Sequence, residues 1–151
     1  PDVHCVWVGD GEERGPLQQA IARSGVEGHV HLLLYRNDVV RLMQAADLFV
    51  LPTYFEGHPF ALMEAMAVGL PVVVSDASGI PEMVTHKVHG IVFRSGERNA
   101  LQEALVHALR NGEAMQAMAL AAAQRVRDFS HERMLEQTLH LLRTLAQVKH
   151  S

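Results

Sequence analysis

Apolar residues fall in short runs along the whole chain, separated by polar stretches that carry glycine or proline. Five runs have the length and composition of strands: 3–9, 30–34, 48–51, 72–75 and 91–93. The run from Leu48 to Leu51 has the length of a strand covered on both faces, and Pro52 ends it. Helical stretches lie between the strands. Pro16 at a first helical position starts one through about Arg23, closed by Ser24-Gly25. Val39, Leu42, Met43 and Ala46 follow at i, i+3, i+4 and i+7, the apolar face of a short helix. Pro59 suits the first position of the next helix, which Gly69 and Pro71 stop. A turn at 76–79 precedes a helical turn at 80–84, and helices at about 97–110, 113–129 and 130–148 fill the rest. Ser130 is the expected N-cap of the last helix, and Met134, Leu135, Leu139, Leu142, Leu145 and Ala146 are its apolar stripe.

Alternating strand and helix predicts an α/β fold, a Rossmann-like parallel sheet with helices on both faces. The 151 residues suit one domain, and 48% hydrophobic residues suffice to fill its core. A net charge of −4 leaves no electrostatic footprint for nucleic acid, and the basic residues do not cluster as an anionic membrane surface would require. The single Cys5 can form no internal disulfide, which suits a reducing compartment. No apolar run reaches the length of a membrane span, and no signal peptide is visible. The chain opens on Pro1-Asp2-Val3 without Met, as a fragment would.

The chemistry concentrates in 53–64. The loop from Thr53 to His58 lies at the carboxyl end of a strand and faces a helix N-terminus, where open parallel sheets bind ligands. Glu56 falls in the loop and Glu64 in the second turn of the helix, with free amides at Phe60 and Ala61 between them. Amides and a helix dipole suit phosphate, and a carboxylate accepts two bonds from a diol. Such a set suits a sugar nucleotide. Spacing alone favours a plainer reading, with Glu56 a solvated loop residue and Glu64 a surface one. His58 either donates to a sugar hydroxyl or phosphate, or shapes the loop. Asn37 or Asp38 caps the helix after 35–38, and Arg36 could stack on a base. Gly9-x-Gly11 suggests a dinucleotide fingerprint, but Gly15 comes one residue too late. Among ten histidines, His29 and His31 share a strand face; no Cys pair or HExxH joins them, so no metal is implied.

The run Glu56-Gly57-His58-Pro59-Phe60-Ala61-Leu62-Met63-Glu64-Ala65-Met66-Ala67, with Gly69-Leu70-Pro71-Val72-Val73, resembles the signature of family 4 retaining glycosyltransferases. Val8-Gly9-Asp10-Gly11, 46–52, Gly79-Ile80-Pro81-Glu82 and 89–93 resemble that family's motifs in its order. The resemblance implies the C-terminal donor-binding domain of a two-domain GT-B enzyme, spanning 1–151, truncated at its N-terminus and without its acceptor domain. Such an enzyme moves a sugar from a nucleotide diphosphate sugar to an acceptor, with retention. Glu64 would hold the ribose and Glu56, the catalytic candidate, the donor sugar. The segment His58, Pro59, Phe60, Ala61 and Leu62 would meet the sugar and diphosphate. The loop with Arg36 and Asp38 would hold the base, and Ser78-Gly79 would complete the site. The family usually has Gly where Leu34 stands, and Gly-Gly where Ser78-Gly79 stands. Its diphosphate-binding Arg and Lys would lie upstream of Pro1.

The resemblance implies no cofactor beyond the donor substrate. Implied partners are that donor, an acceptor that is a glycan, lipid-linked sugar or small molecule, and the N-terminal acceptor domain. The expected location is cytoplasmic, with peripheral membrane association left open for the full-length protein. A sixth strand, central in the order 3-2-1-4-5-6, would precede Val3. The rival readings are a non-catalytic nucleotide-binding or interaction module and half of a dinucleotide-dependent oxidoreductase.

Overall fold

A computed structural model describes residues 3–148. By their contacts they group into two units, one ending at Leu42 and the other starting at Met43. In the first, β1 (Cys5–Val8) and β2 (Val30–Leu33) pair in parallel, with Cys5 opposite Val30 and Val8 opposite Leu33. Parallel neighbours need a crossover, and α1 (Arg14–Ser24) supplies it. This helix begins before Pro16 rather than at it. The first four amides of a helix have no intrahelical acceptor, so a proline at the third position costs no bond, and Gly15 fits inside the same turn. Gly25 closes the helix at φ 65°, the left-handed region where glycine is favoured.

α2 (Val39–Ala45) leads from the first unit to the second, and Met43 on its predicted apolar face is buried. The second unit holds β3 (Phe49–Leu51), β4 (Val72–Ser75) and β5 (Ile91–Phe93), all parallel, with β4 in the middle. The two sets of pairings are those of positions 3-2 and 4-5-6 in the expected order. Every residue of β4 is buried, whereas β3 is only half-buried. The Leu48–Leu51 run, whose length suggested a strand covered on both faces, is thus only partly buried at each position.

Side chains alternate across a strand, so Val73 points opposite to Val72 and Val74. All three are fully buried, which requires cover on both faces. Val73 joins Ile91, Phe93 and residues of α5 (Arg98–Arg110) and α6 (Gly112–Arg125) in one core cluster. α3 (Phe60–Ala67) buries Leu62, Ala65 and Met66, and the short α4 (Ile80–Met83) buries Ile80 and Met83.

One expectation about the C-terminal part changes. The helix expected over 113–129 ends at Arg125 and tightens into a 3-10 turn, Val126–Phe129. Ser130 does cap α7 (His131–Val148), its Oγ accepting the Arg133 N–H at 3.3 Å. The apolar stripe of α7 is exposed from Met134 to Ala146. Periodicity identified an amphipathic helix; it could not say what, if anything, the stripe packs on.

Candidate functional site

The loop between β3 and α3 is held from three sides. Thr53 offers its carbonyl to two hydroxyls, Ser75 Oγ at 2.7 Å and Ser95 Oγ at 3.0 Å, at the carboxyl ends of β4 and β5. The Ser95 N–H donates to Asp76 Oδ1 at 2.7 Å, so the loops after β4 and β5 are tied as well. Further along, the Gly79 N–H donates to the Glu56 carbonyl at 3.1 Å. Gly79 must be glycine here, because a Cβ would lie 1.9 Å from the Gly57 carbonyl oxygen. The expected Ser78-Gly79 turn thus meets the Glu56 loop directly. Its neighbour Ser78 sits at φ 34° and is exposed.

Pro59 is the N-cap of α3 rather than its first residue, with extended backbone at ψ 108°. Its carbonyl accepts from Leu62 and Met63. Leu62 therefore brings no spare amide, and its side chain is fully buried in the core. Pro59 has no N–H and is buried. The N–H groups of Phe60 and Ala61 find no acceptor among the described residues. Glu56, in the loop before them, is half-buried, and Glu64, one turn into α3, is exposed. Tyr54, Phe55 and Phe60 surround Glu56 in the chain and are 80%, 80% and 76% exposed. α3 stops in a Schellman arrangement: Gly69, at φ 72°, donates to the Met66 carbonyl and Leu70 to that of Ala65.

His58 is exposed, and its ring lies 5.4 Å from that of Phe129 in the 3-10 turn. Arg125 stands over the same Phe129 ring at 4.9 Å. It also donates to the Glu82 carbonyl at 3.0 Å and to Asp128 at 2.9 Å. Burial, and then the charge of Arg125, push His89 below the usual imidazole range. Sequence reasoning missed Phe129, Arg125, Ser75 and Ser95. Only Ser75 left a signal, a polar residue ending an all-valine run.

In the first unit, Arg36 and Asp38 form a two-pronged pair, Nε to Oδ1 at 2.7 Å and an Nη to Oδ2 at 2.6 Å. The Asp38 carbonyl accepts from Arg41 and Leu42, so Asp38 is the residue that opens α2. Its carboxylate is engaged by the guanidinium, whose hydrogen bonds hold it below the usual carboxylate range. Arg36 is thus paired with Asp38 along one edge of its guanidinium. The Gly9-x-Gly11 stretch lines a groove with Trp7, Arg14 and Leu17. Among the described residues no group of three or more His, Cys, Asp or Glu is arranged to hold a metal ion. No helix there is long and apolar enough to cross a membrane.

Residues 1–125 match the family model described as glycosyl transferases group 1. The chain belongs to that family. Among glycosyl transferases group 1 and their relatives, it is 38% identical over 149 residues to the amylovoran biosynthesis glycosyltransferase AmsK of Erwinia amylovora, covering 92% of this chain and 36% of the other. It is 35% identical over 107 residues to the UDP-Gal:alpha-D-GlcNAc-diphosphoundecaprenol alpha-1,3-galactosyltransferase of Escherichia coli, covering 70% of this chain and 28% of that one. The crystal structure of Anabaena HepE in complex with UDP superposes at a TM-score of 0.87 and 30% identity, over 95% of this chain and 42% of that one. HepE has also been solved with UDP-glucose. The α/β fold is therefore that of the GT-B glycosyltransferases, and the chain spans 28% to 42% of the length of these relatives.

Proposed function

We propose that this chain is the donor-binding part of a retaining glycosyltransferase that moves a sugar from a nucleotide diphosphate sugar to an acceptor. The observation that carries this reading is the pinned loop before α3. That loop carries Glu56 and leads into the open amides of Phe60 and Ala61, with Glu64 one turn further along α3. Open amides at a helix start suit the diphosphate. As the glycosidic bond breaks, negative charge grows on the leaving diphosphate, and preorganised donors aimed there lower the barrier. Glu64 holds the ribose hydroxyls and Glu56 the hydroxyls of the donor sugar. The UDP-bound HepE structures support a nucleotide-sugar donor. The name of the Escherichia coli relative favours a lipid-diphosphate-linked sugar as acceptor class, met by a cytoplasmic enzyme at the membrane periphery.

Calorimetry with UDP on the full-length protein tests this. Glu64→Ala should lose about 1.5–3 kcal/mol of affinity, the range for hydrogen bonds to charged groups. Glu56→Ala should keep its UDP affinity and lose transfer. Unchanged UDP affinity in Glu64→Ala would refute the assignment.

A further inference from the structure

Phe129 lies beyond the stretch that matches the family model, yet it reaches back to the donor loop. The His58 and Phe129 rings are 5.4 Å apart, centre to centre, and tilted by 56°. That is a tilted contact, with the ring centres inside the separation range of favourable aromatic pairs. The nitrogens of His58 have no hydrogen-bond partner among the described residues, so the contact with Phe129 is what orients the ring. Phe129 is itself held. Arg125 covers it at 4.9 Å, and that guanidinium is locked by the Glu82 carbonyl and by Asp128. The second oxygen of Asp128 takes Arg133 at 2.6 Å, which fixes the 3-10 turn to the start of α7.

We propose that Phe129, braced by Arg125, is a positioning residue that aims the His58 imidazole at the sugar end of the bound donor. The inference rests on the nucleotide-sugar reading of the Glu56 loop. The backbone on one side of His58 is set by Gly79 and on the other by the α3 cap, so only its ring torsions remain to be fixed. A side chain left free at those torsions would sample several rotamers, and a donor would have to select one of them. An imidazole already aimed removes that selection.

A double-mutant cycle on the full-length protein tests this, read by calorimetry with UDP and with UDP-glucose, UDP-galactose, UDP-N-acetylglucosamine and GDP-mannose. With the tightest of the four nucleotide sugars, Phe129→Leu and His58→Ala should each weaken binding about tenfold, within the range for coupled contacting residues. The double variant should be no weaker than His58→Ala alone. UDP affinity should stay within about twofold in all three, since the contact serves the sugar end. Phe129→Tyr, which keeps the ring, should bind like wild type. Additive losses, an equal loss of UDP affinity, or no loss in either single variant would overturn the proposal. Should Phe129→Leu fail to fold, the wild-type protein still decides. The carbon-bound ring protons of His58 should be shifted upfield by the Phe129 ring and should move on adding the nucleotide sugar but not UDP. Resonances that ignore the nucleotide sugar would overturn the proposal. Failure of all four nucleotide sugars to bind wild type would bring down the donor-site reading as well. An additive cycle beside a Glu64→Ala loss of UDP affinity would bring down the positioning role alone.

Discussion

Replacing Gly79 by alanine tests the contact that sets the Glu56 loop. The new Cβ would meet the Gly57 carbonyl oxygen at 1.9 Å and its carbon at 3.1 Å. Ordinary contact begins near 3.4 Å, so the two backbones must part by 1.5 Å, from 1.9 to 3.4 Å. Both partners are main chain, and no rotamer change relieves the clash. Overpacking of this kind costs about 1–3 kcal/mol. The hydrogen bond from Gly79 to the Glu56 carbonyl, 3.1 Å in the native loop, would be lost at about 1 kcal/mol more. The sum, about 2–4 kcal/mol, corresponds to a fall in melting temperature of roughly 4–16 °C for a domain of this size. Function should suffer beyond stability, because the displaced loop carries Glu56 and His58, and a misplacement of about 1 Å can cost on the order of 100-fold in rate. Gly57→Ala is the control: its Cβ meets nothing within 4 Å, so stability should stay within about 0.5 kcal/mol. Thermal melts of the full-length variants, with nucleotide-sugar calorimetry below the transition, give both readouts. A Gly79→Ala protein with native melting temperature and native affinity would refute the close approach of the two loops.

Gly90→Ala should destabilise by about 1–3 kcal/mol in urea melts, because its Cβ would lie 2.4 Å from Val72 Cγ2 and 2.8 Å from the Val72 oxygen in the central strand. Asp38 should titrate below the usual carboxylate range by carbon NMR, and Arg36→Ala should return it there, since the Arg36 hydrogen bonds cause the shift. The folded pKa is the lower one. The pair's stabilisation is thus present above the ordinary Asp value and is lost as pH falls through the depressed one. Ser130→Ala should cost about 0.5–2 kcal/mol and show as faster amide exchange at Arg133, whose N–H the hydroxyl accepts.

Local chemistry made much of this chain legible. Strand and helix alternation announced parallel pairing, since parallel neighbours need crossovers, and β1 with β2 and β3 with β4 and β5 pair that way. The end of α3 at Gly69 and the cap at Ser130 depend on residues within a turn of each other, so their residue types sufficed. The order of motifs around Glu56 and Glu64 pointed to a glycosyltransferase, and the family match agrees. What needed the tertiary structure lies between elements far apart in the chain. The clash that demands glycine at 79 comes from Gly57, and the contact that orients His58 comes from Phe129. Burial belongs to the same class: β4 and the stripe of α7 are both apolar, yet one is fully buried and the other exposed. A sequence pattern states which face of an element is apolar; only the packing of the other elements decides whether that face is covered.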